Sequence, residues 1–113
     1  MASKSIQAHL EIFLLDNRGR RRLVDRWPTL AANRVLHREE IIEASDDYIL
    51  AGIIQPNRCT IVVSDKVLTA EVSYGATEVT KTVDALMVLS TAITGLILRN
   101  QGTLAADVQI VHF

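Results

Sequence analysis

The chain is poor in the residues that build disulfide frameworks, base-stacking grooves and membrane spans. Cys59 is its one cysteine, so no intrachain disulfide can form. Aromatic residues make up 4% of the sequence, and beside the arginine-rich segment only Trp27 is placed to stack on a base. Unbroken apolar runs fall short of the roughly 18 residues that a membrane helix needs; Ser90, Thr91, Thr94 and Gly95 interrupt the longest. A signal-peptide layout is also missing from "MASKSIQAHLEIFLLDN", whose short apolar part is bracketed by Glu11 and Asp16. The expectation is a protein that functions or assembles in the cytoplasm, with no membrane partner. There is no glycine-rich phosphate loop. His9, His37 and His112 are scattered without ligand spacing, which predicts ordinary surface or interface histidines and no metal or cofactor.

What is present suits one ordinary globular domain. The 113 residues are 49% hydrophobic and 22% charged, enough to bury one compact core. Cys59 lies in the β-branched run "CTIVV", where a thiol is expected to be an inert, buried apolar group. The formal net charge of −1 excludes a globally basic polyanion binder, but the charge is unevenly spread. Lys4, Arg18, Arg20, Arg21, Arg22 and Arg26 stand against Glu11, Asp16 and Asp25, whereas "HREEIIEASDD" at 37–47 is acidic. Such polarity suits contacts between copies, and arginine suits them because its guanidinium fork binds carboxylates bidentately. The interface residues expected on this ground are Arg18, Arg20, Arg21, Arg22 and Arg26 on one side and Glu39, Glu40 and Glu43 on the other. The acidic group reads as a solvated surface, not a catalytic carboxylate pair. The same arginines, clustered on a hairpin, are the one feature able to neutralise several phosphates.

Periodicity points to strands. "DNRG" (16–19) is a turn signal between "SIQAHLEIFLLDN" and "RRRLVDRW". Alternation in the second segment sets Arg20, Arg22, Val24 and Arg26 against Arg21, Leu23, Asp25 and Trp27. This predicts a basic hairpin over 5–27, with Trp27 closing a core and Pro28 ending the strand. Residues 29–55 lack a helical stripe and are expected to form a loop followed by short strands around Ser45–Asp47. "CTIVVSD" and "KVLTAEVSY" are strands, with Leu68, Ala70, Val72 and Tyr74 inward and Gly75 as the stop.

Residues 79–102 are the ambiguous stretch. Val79, Val83, Leu86, Ile93, Leu96 and Ile97 fall at helical spacing. Nine β-branched residues, with Thr77 just before them, and the interior Gly95 oppose a helix, at roughly 0.5 kcal/mol for each β-branched residue and about 1 kcal/mol for the glycine. The strand reading gives 84–90, 93–99 and 105–113, with a three-residue hairpin loop at Asn100–Gly102 and Gly102 left-handed. The fold class expected is therefore all-β, a small antiparallel β-sandwich or jelly-roll-like domain spanning 1–113. The alternative is α+β, with a C-terminal helix at 79–100.

Two resemblances bear on function. "VVSDKVLT" and "ALMVLSTAITGLILRNQGTLAADVQIV", within Ile61–Thr69 and Ala85–Val111, resemble small β-sandwich proteins of tailed-phage virions. That resemblance implies a non-enzymatic capsid decoration, fibre or tail component, made in the host cytoplasm and located in the virion. It would act as a homo-oligomer, a trimer among the options, with other virion proteins as partners and no small-molecule substrate. "IFLLDNRGRRRLVDRWP" looks like the N-terminal hairpin of single-stranded RNA phage coat proteins. That second resemblance implies a nucleic-acid-binding coat using the basic 18–26 segment, with 79–100 as a helix crossing to a dimer partner. The middle of the chain, 29–74, departs from the long strand meander such coats need.

Overall fold

A computed structural model describes residues 4–32 and 34–113, and the chain divides into two compact units, 1–33 and 34–113. The described residues form twelve strands and no helix. The α+β alternative is not realised: 79–100 falls into three strands, as its β-branched content favours.

The first unit is a β-ribbon. Strands β1 (Lys4–Gln7), β2 (Leu10–Asp16), β3 (Gly19–Arg26) and β4 (Thr29–Ala32) pair as one folded-back hairpin, β2 with β3 and β1 with β4. Asn17 and Arg18 make the tip, as the "DNRG" signal predicted, and Asp16 Oδ1 accepts the Arg18 amide at 2.8 Å. The hairpin is longer than the expected 5–27. Pro28 does not end it, because its carbonyl accepts the Ala8 amide at 3.0 Å and the chain resumes pairing beyond. A proline at this joint removes one donor without preventing its oxygen from bridging the strands.

The second unit is a sandwich of two four-stranded antiparallel sheets. Its strands are β5 (Leu36–Ile42), β6 (Asp47–Ile49), β7 (Thr60–Ser64), β8 (Leu68–Tyr74), β9 (Thr77–Val83), β10 (Leu86–Leu89), β11 (Gly95–Arg99) and β12 (Ala106–His112). One sheet has the order β10-β7-β12-β5, the other β6-β11-β8-β9. The pairs β8·β9, β7·β10, β6·β11 and β5·β12 are nested, so the eight strands are one long hairpin rolled into two layers. This is the jelly-roll winding. All sandwich strands lie within 36–112, so the sandwich occupies the second unit and not the whole chain.

The core lies between the two sheets. Leu68, Ala70 and Val72 face inward as alternation predicted, joined by Val62, Leu96, Leu98, Ala106, Val108 and Ile110, each 2% exposed or less. Gly75 closes the tight β8–β9 turn with φ 67°, a left-handed conformation that glycine adopts without a Cβ clash. Asn100–Gly102 departs from expectation: it links β11 to β12 across the sheets, and Gly102 is not left-handed. Turn-forming residues look alike in a hairpin and in a link between sheets. The strand order, which depends on distant pairings, separates the two.

Buried side chains pin these links. Asn57 Nδ2 donates to the carbonyls of Ile54 and Ile93, both at 2.8 Å, and its Oδ1 accepts the Ile93 amide at 2.9 Å. Asn100 Nδ2 donates to the carbonyls of Ile42 and Leu104, and its Oδ1 accepts the Gly102 amide. His112, expected at the surface, is fully buried. Its Nε2 lies 3.0 Å from the Ile54 amide and accepts from it, so Nδ1 carries the proton and donates to Thr60 Oγ1 at 2.8 Å. Desolvation holds this imidazole below its ordinary pKa.

Candidate assembly surfaces

Among the described residues, no group of three metal-binding side chains comes together. Cys59 is buried, and burial pushes its thiol pKa up, away from the reactive thiolate. What the structure does present are four outer surfaces of contrasting chemistry.

On the ribbon, directly opposed residues of an antiparallel pair share a face. The register pairs Leu10 with Arg26, Ile12 with Val24 and Leu14 with Arg21, which places these six together. Leu10, Ile12 and Leu14 are exposed there, forming an apolar stripe with an arginine at each end. Neither Arg21 nor Arg26 has an ion-pair partner among the described residues, and Arg18 at the tip has none through its side chain.

The opposite ribbon face mixes internally paired charges with Phe13 and the 73% exposed Leu15. Glu11 stands directly across from Asp25, a like-charge pairing that disfavours the ribbon unless cations separate the two. His9 Nε2 lies 2.9 Å from Asp25 and 3.1 Å from Glu11, and Arg22 Nη1 donates to Asp25 at 2.7 Å. The hydrogen bond from His9, helped by Arg22, holds the Asp25 carboxyl below its usual pKa. Arg20 covers the Phe13 ring at 3.7 Å. Trp27 does not close a core; it is exposed and stacks on His9 with ring centroids 3.6 Å apart.

The five expected arginines therefore do not form one basic face. The register shifts between Ile12 and Phe13, leaving Leu23 as the extra residue of a bulge. A bulge reverses the alternation beyond it. Arg20 and Arg22 thus lie with Phe13, and Arg26 lies with Val24 on the other side. Simple alternation had put Arg20, Arg22 and Arg26 together, and a bulge leaves no residue signature in "RRRLVDR" to say otherwise.

The expected acidic group is divided too. On β5, Glu39 is exposed on the outer face, whereas Arg38 and Glu40 sit opposite inward-facing Ile110 and Val108 and are partly buried at the sandwich margin. Burial raises the Tyr48 pKa first, and the Glu40 charge adds to it, so Tyr48 and this margin share one electrostatic environment. Glu43 is exposed in the turn that follows, where its carbonyl accepts the Asp46 amide.

The two outer sheet faces differ sharply. On β6-β11-β8-β9 the outer face is mainly polar, apart from Ile49 and Ile97 on β6 and β11: Arg99 donates bidentately to Glu71 at 3.0 Å and also bonds Asp47. That pairing holds the Glu71 carboxyl below its usual pKa. On β10-β7-β12-β5 the register aligns Leu86 with Val63, and Val88 with Ile61 and Val111. Leu86, Val88 and Val63 are 54%, 55% and 48% exposed, while Ile61 and Val111 are half-buried. Asp65 and Asp107 from the next row and Glu39 on β5 rim this apolar patch. Sequence reading took "CTIVV" as a strand holding a buried thiol and 84–90 as a strand, without assigning the outer face of either. Their unbroken apolar character was the available sign that both faces of these strands avoid water.

The chain thus belongs structurally to the small antiparallel sandwiches, wound as a jelly roll and preceded by a two-stranded ribbon. Compared with known proteins, it matches no family model, no curated protein and no solved structure.

Proposed function

We propose that this chain is a non-enzymatic structural protein of a virion, serving as a homo-oligomeric building block in capsid decoration or in the tail and head–tail region. The observation that carries the assembly reading is the ribbon. A two-stranded ribbon is marginal in water by itself, yet this one leaves Leu10, Ile12, Leu14 and Leu23 exposed. A second copy supplies the missing layer. The jelly roll is a winding that viral capsid proteins share with lectins and cupins, and the phage assignment rests on the resemblance carried by Ile61–Thr69 and Ala85–Val111. Size-exclusion chromatography with light scattering tests the reading at micromolar protein. A defined oligomer is expected, and a strict monomer at every concentration overturns it.

A nucleic-acid-binding coat is a second reading, favoured by the guanidinium groups of Arg18, Arg21 and Arg26, which have no ion-pair partner among the described residues. It is the weaker of the two, because Arg22 is engaged by Asp25 and Arg20 by Phe13. Filter binding with RNA and DNA decides it: retention that falls steeply with salt supports a coat, and a flat curve at low salt removes it.

A further inference from the structure

We propose that the apolar ribbon face of one copy docks on the outer face of the β10-β7-β12-β5 sheet of a second copy. This contact rests on the homo-oligomer reading above and gives it an address.

Chemistry matches the two surfaces. Each is an apolar strip with an ionic margin, and the margins are of opposite sign. The ribbon offers Leu10, Ile12, Leu14 and Val24, bounded by Arg26 at one end and Arg21 at the other. The sheet offers Leu86, Val63, Val88, Ile61 and Val111, bounded by Asp65, Asp107 and Glu39. Asp107 has no ion-pair partner among the described residues, the His37 ring nitrogen lies 3.9 Å from Glu39, and Asp65 is paired with Lys66 at 3.3 Å, which leaves Asp107 and Glu39 to carry the acidic margin. Covering both strips removes apolar area from water and brings arginine forks against carboxylates.

Size agrees as well. Leu10 and Leu14 are four residues apart, about 13 Å at the usual strand rise of about 3.3 Å. The apolar patch lies on β10, β7 and β12, two strand spacings or about 10 Å, and Glu39 on β5 stands one spacing further, about 14 Å from β10. A ribbon laid across the sheet therefore keeps its stripe over the patch and brings one terminal arginine to the Glu39 and Asp107 side.

Like-with-like pairings are disfavoured. Two ribbon faces brought together oppose arginine to arginine, and two sheet faces oppose carboxylate to carboxylate. The favoured contact joins different surfaces on the two copies, so it propagates head to tail and either closes into a ring or extends as a filament.

A charge exchange tests it. One full-length variant carries Arg21→Glu and Arg26→Glu; the other carries Glu39→Lys and Asp107→Lys. All four positions are exposed, and circular dichroism with thermal melting verifies that each variant folds as the wild type does. Light scattering across a dilution series then reads assembly. Each variant alone is expected to need at least about tenfold more protein for half-assembly. An equimolar mixture is expected to assemble near the wild-type concentration, since reversed ribbons meet reversed sheets and normal ribbons meet normal sheets. An oligomeric wild type whose sheet variant assembles normally overturns the contact and points to ribbon–ribbon pairing. A mixture that stays dissociated overturns it too. A monomeric wild type is a different failure, which removes the homo-oligomer reading itself and this contact with it.

Discussion

The ribbon and the sandwich follow the same connection rule and reach opposite outcomes. Both are hairpins folded back on themselves: β1·β4 outside β2·β3 in one, β5·β12 outside β6·β11, β7·β10 and β8·β9 in the other. Eight strands can roll into two layers and seal a dry interior, and fifteen hydrophobic residues do so here. The four strand segments of the ribbon give a single layer two strands wide, so neither face can be lined with partners from the same ribbon. Leu10, Ile12, Leu14, Leu15 and Leu23 stay exposed on the ribbon, whereas the sandwich buries Leu68, Leu96, Leu98 and Ile110 between its sheets. Hydrophobic content alone did not separate the regions; the number of strands available to close a second layer did.

Mutations should divide along the same line. The largest effect is expected at Leu98, fully buried between the sheets. Leu98→Ala should cost about 2–5 kcal/mol in urea unfolding, through lost transfer energy and a residual cavity. Asn57→Ala should follow at about 1–3 kcal/mol, because it leaves the Ile93 amide and the Ile54 carbonyl without partners and the Ile93 carbonyl with only the long 3.5 Å bond from Gln55. Leu14→Ala on the ribbon should change monomer stability by no more than about 0.5 kcal/mol while weakening assembly. A loss at Leu14 as large as that at Leu98 would break the comparison.

A pH titration sharpens it further. Burial places the folded-state pKa of His112 below its ordinary 6.5, so beneath that value the unfolded chain takes up a proton that the folded chain refuses. The urea midpoint should be level above about pH 6.5 and fall as pH drops toward the lowered folded value, and His112→Gln should flatten that slope. The smallest effect is expected from Arg99→Ala, whose partners Glu71 and Asp47 are on the wet sheet face. Its shift in the urea midpoint should shrink as salt is added.

The legible part of this molecule was local. Strand β8 could be read residue by residue because its alternation matches its burial, and the tip at Asn17–Arg18 followed from turn chemistry. What escaped depends on partners far along the chain. Asn100–Gly102 has the composition of a hairpin loop, but β12 finds β5 and β7 instead of β11. His112 reads as a polar terminal residue until Ile54 and Thr60 arrive to satisfy both ring nitrogens. The arginines were found as a group, and the bulge at Leu23 then dealt them to two faces. The apolar patch around Val63 and Val88 was hidden because core strands and doubly covered strands share the same apolar text.

The sandwich margins limit the manner in which copies can join. A foreign strand zipping onto β5 would trap Arg38 and Glu40 beneath the extended sheet, and one added to β9 would do the same to Lys81, which stands across from fully buried Ala70. Charges so placed act as gatekeepers against runaway cross-β stacking. At these two edges, copies of this protein should therefore associate through side-chain surfaces while each retains its own backbone pairing, which leaves amyloid-like growth without a template there.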